Sequence, residues 1–193
     1  MFNSKNTFRN YLKGSDEGDT SNIITTPPRR ILLDGISEHW ELSEQIVVPT
    51  GGKVTFKVMN KINGAYPYIY SAMSQAHGIY TDSSNFRPRS SGFASTIDVN
   101  GLGLNVGTAD GAEHSVAVIY AQEGYIGKIG TRYDLTRHLK GSIRNLKVYD
   151  AALNLLHNIP LTNVSEDKEQ KDLVGSVTAT LITNGEPSFE DYI

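Results

Sequence analysis

The feature that most constrains the fold is a series of short runs rich in β-branched and aromatic residues, separated by turn signals. Runs such as "KVTFKVMNKI" (53–62), "HSVAVIYAQ" (114–122) and "SVTATLIT" (176–183) alternate apolar with polar residues, the period of a strand with one buried face. Asn-Gly and Asp-Gly pairs, which favour tight hairpin turns, recur along the chain. The pattern predicts an all-β protein built as an antiparallel sandwich or barrel.

The length, composition and charge of the chain exclude several classes of protein. A chain of 193 residues can form one domain that buries roughly 70% of its unfolded surface. It contains no cysteine, so disulfides and thiolate chemistry are excluded. The net charge of −3 and the scattering of the 18 Lys and Arg residues argue against binding to nucleic acid. No segment is apolar for long enough to act as a signal peptide or cross a membrane, so we expect no membrane association.

Residues 1–30 differ in composition from the rest of the chain. They are polar and end in "TTPPRR", whose two prolines disfavour helix. We therefore divide the chain into an N-terminal arm or linker, residues 1–30, and one domain, residues 31–193. Four apolar side chains of the arm are too few to form a core of their own: Phe2, Phe8, Tyr11 and Leu12. Two interpretations stay open, a disordered terminus and a segment that docks onto a partner through these four residues.

The C-terminal half contains three segments in a recognisable order: "HSVAVIYAQEGYIGKIGTRYD", "LKGSIRNLKVYDAALNLLHNIPL" and "LVGSVTATLITNGEPSFEDYI". The second segment fits the pattern Gly-x-Ile-x-x-x-x-Val-Tyr-Asp, with these matching residues: Gly141, Ile143, Val148, Tyr149 and Asp150. The ordered set resembles the laminin-G and concanavalin A-like jelly roll, especially the small copies found in phage virion proteins.

The resemblance extends over residues 31–193. "HWELSEQIVVPTGGKVTFKV" is similar to the opening strands of that module, and Gly175, Ser176 and Val177 with "TATLITNG" resemble its closing segment. One departure concerns that closing segment, where "VTATLITNG" replaces the usual Gly-Thr-Leu. The closing turn is therefore expected to differ from that of the family.

The resemblance implies a fold, a function and a location. The fold is an all-β, two-sheet antiparallel jelly-roll sandwich. The function is that of a non-enzymatic structural protein of a bacteriophage virion, a capsid decoration or tail-fibre protein that contacts other virion proteins through its arm. The location is the virion, assembled in the host cytoplasm, and homo-oligomerisation is left open. Laminin-G relatives often bind calcium, but the acidic candidates Asp82, Asp98 and Asp110 are scattered, so we predict no metal and no cofactor.

The stretch "ISEHWELSEQIVVP" raises the question of catalysis, because it contains the only tryptophan and three glutamates: Glu38, Glu41 and Glu44. If the stretch is an extended strand, Trp40 and Leu42 point to the core and Glu41 lies on the other face from Glu38 and Glu44. Those two are about 20 Å apart at ~3.3 Å per residue. Glycosidase carboxylates lie roughly 5 to 10 Å apart, so we predict a structural strand without catalytic residues.

Other catalytic constellations are no better supported. The five histidines, at positions 39, 77, 114, 138 and 157, lie in separate segments, and we expect them at the surface or at sheet edges. No Gly-x-Ser-x-Gly nucleophile elbow occurs. A glycan hydrolase or lyase whose acids come from distant strands stays a further alternative.

The tyrosines of "GAYPYIYSAM" are the candidate binding surface. In strand register, Tyr66, Tyr68 and Tyr70 fall on one face. If they are exposed, they offer a host-surface glycan both stacking rings and hydroxyl groups, as in a carbohydrate-binding adhesin that recognises a receptor. If they are buried, they form an aromatic ladder inside the domain. Both interpretations stay open.

Overall fold

The computed structural model describes residues 29–61, 66–75, 77–82, 85–89, 93–103, 110–162 and 168–191, apart from the side chains at positions 95 and 191. The arm residues Phe2, Phe8, Tyr11 and Leu12 lie outside the described residues. The described residues contain strands and no helix. The strands are β1 (Arg29–Asp34), β2 (His39–Val48), β3 (Lys53–Asn60), β4 (Tyr68–Ser71), β5 (Gly78–Thr81), β6 (Phe86–Pro88), β7 (Ala94–Val99), β8 (Glu113–Tyr120), β9 (Gly124–Ile129), β10 (Lys140–Tyr149), β11 (Leu155–Ile159), β12 (Glu169–Lys171), β13 (Thr178–Ile182) and β14 (Ser188–Asp191).

These strands form two antiparallel sheets of seven strands each, as the alternating pattern predicts. The first sheet has the order β14-β1-β10-β3-β8-β7, and β11 also pairs with β10. The second sheet has the order β12-β13-β2-β9-β4-β5-β6. Consecutive strands pair in places, such as β4 with β5 and β7 with β8, whereas pairs such as β14 with β1, β1 with β10 and β13 with β2 join strands that are far apart in sequence.

One apolar core joins the inner faces of the two sheets, which makes the domain a β-sandwich. In β2, Trp40 and Leu42 are 1% and 2% exposed, which confirms the predicted inward face of that strand. In β3, Val54 and Phe56 belong to the core, whereas the alternate residues face outward. In β3 the two-residue period therefore separates core residues from outward-facing ones.

The first strand begins earlier than the predicted domain boundary. Arg29 and Arg30, assigned to the arm from the sequence, pair with Asp191 and Glu190 of β14. The Arg30 guanidinium also forms an ion pair with the Glu190 carboxylate at 2.9 Å. The two arginines after the prolines therefore belong to the sheet.

Two β-bulges change which side chains face outward. In β4, the register with β5 shifts between Tyr68 and Tyr70. In β10, the register with β3 shifts between Arg144 and Lys147. A bulge places an extra residue on one strand and redirects the side chains beside it, so both positions depart from simple alternation.

Candidate functional site

The three glutamates beside Trp40 each have a separate structural partner. Glu38 accepts hydrogen bonds from the Asp34 amide at 2.9 Å and from the Thr183 hydroxyl at 2.8 Å. Glu41 pairs with the buried Lys128 ammonium at 2.7 Å. Glu44 accepts a hydrogen bond from the Ser176 hydroxyl at 3.0 Å. These contacts tie β2 to its neighbours, and the prediction that the glutamates are not catalytic stays a prediction.

The three predicted tyrosines do not share one face, because the bulge in β4 separates Tyr68 from Tyr70 and Tyr66 lies before the strand. Tyr70 is fully buried in the core, where its hydroxyl lies 2.7 Å from that of Tyr120. Burial raises the pKa of the Tyr70 phenol well above its usual value. Tyr68 is also buried but lies outside the core cluster, and Tyr66 is 47% exposed. An exposed ladder of all three is therefore not formed.

Tyr66 and Tyr68 instead belong to an aromatic group on the second sheet. The Tyr68 ring stacks on the Tyr80 ring at a centroid distance of 5.6 Å, and Tyr66 packs edge-on against the same Tyr80 ring at 6.1 Å. The Arg137 guanidinium lies over the Tyr66 ring, 5.7 Å from its centroid. We call this group, with the two further arginines described below, the tyrosine–arginine cluster: Tyr66, Tyr68, Tyr80, Arg89, Arg132 and Arg137.

The backbone at the exposed pair of the cluster is unusual. Tyr66 has φ 50° and Arg137 has φ 57°, so both have the left-handed conformation that favours glycine. The conformation costs about 1 to 2 kcal/mol for each non-glycine residue. The Arg137 carbonyl accepts a hydrogen bond from the Tyr68 amide at 3.0 Å, which fixes the β9–β10 loop to β4. Six further non-glycine residues among the described ones also have positive φ, so the contact between the exposed ring and the guanidinium, rather than the strain, makes the pair a candidate for binding.

Arginines give the cluster a positive charge. Arg89, Arg132 and Arg137 all lie close enough to Tyr68 to favour its phenolate, yet burial still raises the pKa of Tyr68. The Tyr68 hydroxyl therefore stays neutral near pH 7. Arg132 lies 3.3 Å from the Asp134 carboxylate, whereas Arg89 and Arg137 are exposed to solvent. The Arg137 cation thus lies over the exposed Tyr66 ring, and no ion pair of Arg137 is found among the described residues.

The arrangement suits the binding of a polar ring. An exposed tyrosine ring can stack on the apolar face of a sugar, and arginine side chains can donate hydrogen bonds to hydroxyl or carboxylate oxygens. Tyrosine and arginine are also the residue types that dominate binding energies at interfaces. The sequence pointed to Tyr66 and Tyr68, but Tyr80 and Arg137 were missed because they come from other strands and loops.

The histidines are less exposed than the sequence predicts. His39, His114 and His138 are buried. The rings of His39 and His138 pack together at 5.8 Å, and burial lowers the pKa of His39. His39 donates from Nδ1 to the Ser37 carbonyl, and His114 contacts Asp110 at 3.0 Å. The expectation of surface or edge positions was wrong for these three, because His39 packs against His138 of the β9–β10 loop and His114 contacts Asp110 of the loop before β8.

The acidic candidates for calcium binding have protein partners. Asp82 pairs with Arg87 at 2.7 Å, Asp98 accepts the Gly103 amide at 2.8 Å, and Asp110 contacts a histidine. Within the described ranges, no group of three or more His, Cys, Asp or Glu residues could hold a metal ion. That the protein binds no metal stays a prediction.

Comparisons of the chain with protein-family models, with curated proteins and with solved structures found no match. In the part of the chain that the structure describes, no helix is both long and apolar enough to cross a membrane. The two-sheet sandwich and the tyrosine–arginine cluster are thus the observations from which a function has to be inferred.

Proposed function

We propose that this protein is a non-enzymatic structural protein of a bacteriophage virion that displays a glycan-binding jelly roll. The exposed Tyr66 ring, held edge-on to Tyr80 and covered by the Arg137 guanidinium, carries the glycan-binding part. The hydrogen bond from the Tyr68 backbone N–H to the Arg137 carbonyl fixes the β9–β10 loop to β4. It therefore holds the Arg137 guanidinium near the Tyr66 ring before a ligand binds. Such preorganisation lowers the entropic cost of binding.

A glycan array with the full chain tests this binding. We expect the full chain to bind a subset of glycans, and Tyr66→Ala to lower affinity for them by about thirtyfold, equivalent to roughly 2 kcal/mol. The control is Phe189→Ala, which removes a similarly exposed ring (42% against 47% for Tyr66) from β14 of the other sheet. Equal binding by Tyr66→Ala and the unchanged chain would refute a role for the cluster. Cleavage of the bound glycans would support the hydrolase or lyase alternative instead.

The virion part of the proposal rests on the sequence. The C-terminal segments that resemble phage jelly rolls contain β8 to β11, β13 and β14, and the two antiparallel sheets are compatible with that fold. The part of the arm before β1, residues 1–28, is proposed as the anchor to other capsid or tail proteins, through Phe2, Phe8, Tyr11 and Leu12. Burial of each large apolar side chain gains about 1.5 to 3 kcal/mol, against an ordering cost of ~1 to 2 kcal/mol per backbone residue.

Deletion of residues 1–26 separates anchoring from folding. We expect the melting temperature of the isolated domain to stay nearly unchanged, because the truncation leaves β1 intact. Incorporation into phage particles should be abolished. Full occupancy of particles by the truncated protein would show that the attachment surface lies on the sandwich itself.

A further inference from the structure

A groove crosses the outer face of the first sheet, on the opposite side of β3 from the core. One cavity of about 310 Å³ lies over β3, β8 and β10, and a second of about 200 Å³ adjoins it near the end of β10. Both cavities are lined by Thr55 and Tyr149, so they form one elongated depression. We call it the outer groove and define it by six residues: Lys53, Thr55, Lys57, Asn145, Lys147 and Tyr149.

The bulge in β10 shapes this groove. Arg144 lies opposite Lys57 and Lys147 lies opposite Thr55, so two residues of β10 intervene where β3 has one. One of them, Leu146, turns into the core, whereas Asn145 lines the groove with φ 54°. The backbone N–H of Asn145 donates a hydrogen bond to the Pro160 carbonyl at 2.8 Å, which holds the bulge in place. Bulges that redirect a side chain in this way are common beside functional sites.

The outer groove carries three lysines against one carboxylate, that of Asp98, on a chain whose net charge is −3. Lys53 and Lys147 have no ion-pair partner among the described residues. Lys57 lies 3.8 Å from the Glu113 carboxylate, but both oxygens of that group already accept hydrogen bonds from Arg144. Lys53 and Lys57 lie about 13 Å apart along β3 at ~3.3 Å per residue, which suits an extended anion better than a single small one.

The polar groups between the lysines indicate the chemical class of the ligand. Thr55, Tyr149 and Asn145 offer hydroxyl and amide groups that can both donate and accept hydrogen bonds. The backbone of β3 is already paired with β8 and β10, so an acidic peptide cannot add here as a strand. We propose that the outer groove binds a linear acidic polysaccharide of the uronic acid type, whose carboxylates meet the lysines while its hydroxyls meet the groove floor. This site lies on the opposite sheet from the tyrosine–arginine cluster and is independent of it.

Isothermal titration calorimetry of the full chain tests the proposal with four probes: oligogalacturonate, neutral dextran of similar length, polyglutamate and a short DNA duplex. We expect saturable binding of oligogalacturonate that weakens with added salt, and no saturable binding of the other three. The double variant Lys53→Gln/Lys147→Gln should lower affinity by at least tenfold, because charge-assisted contacts contribute more than neutral ones. The matched control Lys140→Gln/Lys171→Gln removes the same charge from exposed positions outside the groove and should change affinity less than twofold.

Three results would overturn the inference. The first is a lack of saturable oligogalacturonate binding by the full chain. The second is an equal loss in the control variant, which would mean non-specific attraction. The third is equal affinity for polyglutamate or DNA, which would exclude saccharide specificity. Weakened oligogalacturonate binding by Lys53→Gln/Lys147→Gln but not by the control variant assigns that binding to the outer groove, so failure at this site can be distinguished from failure at the tyrosine–arginine cluster.

Discussion

Glu113→Gln should destabilise the domain by about 2 kcal/mol, because it removes the charge from a half-buried carboxylate that accepts two hydrogen bonds from the buried Arg144 on the first sheet. The Arg144 guanidinium, 8% exposed, donates two hydrogen bonds to the Glu113 carboxylate at 2.7 and 2.6 Å. Arg30 and Lys57 lie 3.7 and 3.8 Å from the same group. Glutamine keeps the shape but leaves these cations without their shared negative charge.

The effect of Glu113→Gln should depend on pH. Burial acts to raise the pKa of Glu113, but Arg144, Lys57 and Arg30 outweigh it and hold that pKa below its ordinary value of 4.5. A lowered folded-state pKa contributes stability that is present above the unfolded value and lost as pH falls through the folded value. The difference between the unchanged chain and the variant should therefore be full at pH 7 and vanish in acid, where both side chains are neutral.

Urea unfolding followed by tryptophan fluorescence measures this difference. Trp40 is the only tryptophan and is buried, so its emission reports loss of the core. The control Glu186→Gln alters an exposed loop residue and should change stability by less than about 0.5 kcal/mol. A loss below about 1 kcal/mol at pH 7, or a loss that persists unchanged in acid, would refute the reasoning about Glu113.

Two further predictions concern the core. Trp40→Ala should cost about 3 to 5 kcal/mol by circular dichroism, and a loss under ~1 kcal/mol would show that the ring is not packed as described. Tyr70→Phe should cost about 1 to 3 kcal/mol because it leaves the buried Tyr120 hydroxyl without its partner at 2.7 Å. The double variant with Tyr120→Phe should recover part of that stability, and a double variant less stable than Tyr70→Phe would contradict the pairing.

The alternating runs allowed the all-β class and the inward face of β2 to be predicted, since a two-residue period follows from strand geometry. The bulges could not be predicted in this way. A bulge depends on how a strand pairs with its neighbour, which alternation within one strand does not encode, so the spacing of the tyrosines does not indicate that the Tyr70 ring enters the core while Tyr68 does not. For the same reason, alternation did not place Asn145 in the outer groove.

The candidate site shows a second limit of sequence reasoning. Tyr66 and Tyr68 could be chosen from their spacing, but Arg137 lies far along the chain and meets Tyr66 only through the β9–β10 loop. A single arginine in a loop carries no local signal of such a contact. The lysines of the outer groove were missed in a similar way. They come together only when β3 and β10 pair, and the net charge of the whole chain, which is negative, does not reveal a local group of cations.

The most direct test of the proposed function is the adsorption rate of purified phage particles that carry Tyr66→Ala in this protein. We expect these particles to contain the chain at the same copy number as unmodified particles, because the substitution leaves residues 1–30 unchanged. Their adsorption to host cells should be slower by tenfold or more, since the glycan-stacking ring is lost. Absence of the chain from unmodified particles, or adsorption at an unchanged rate, would contradict the proposed function.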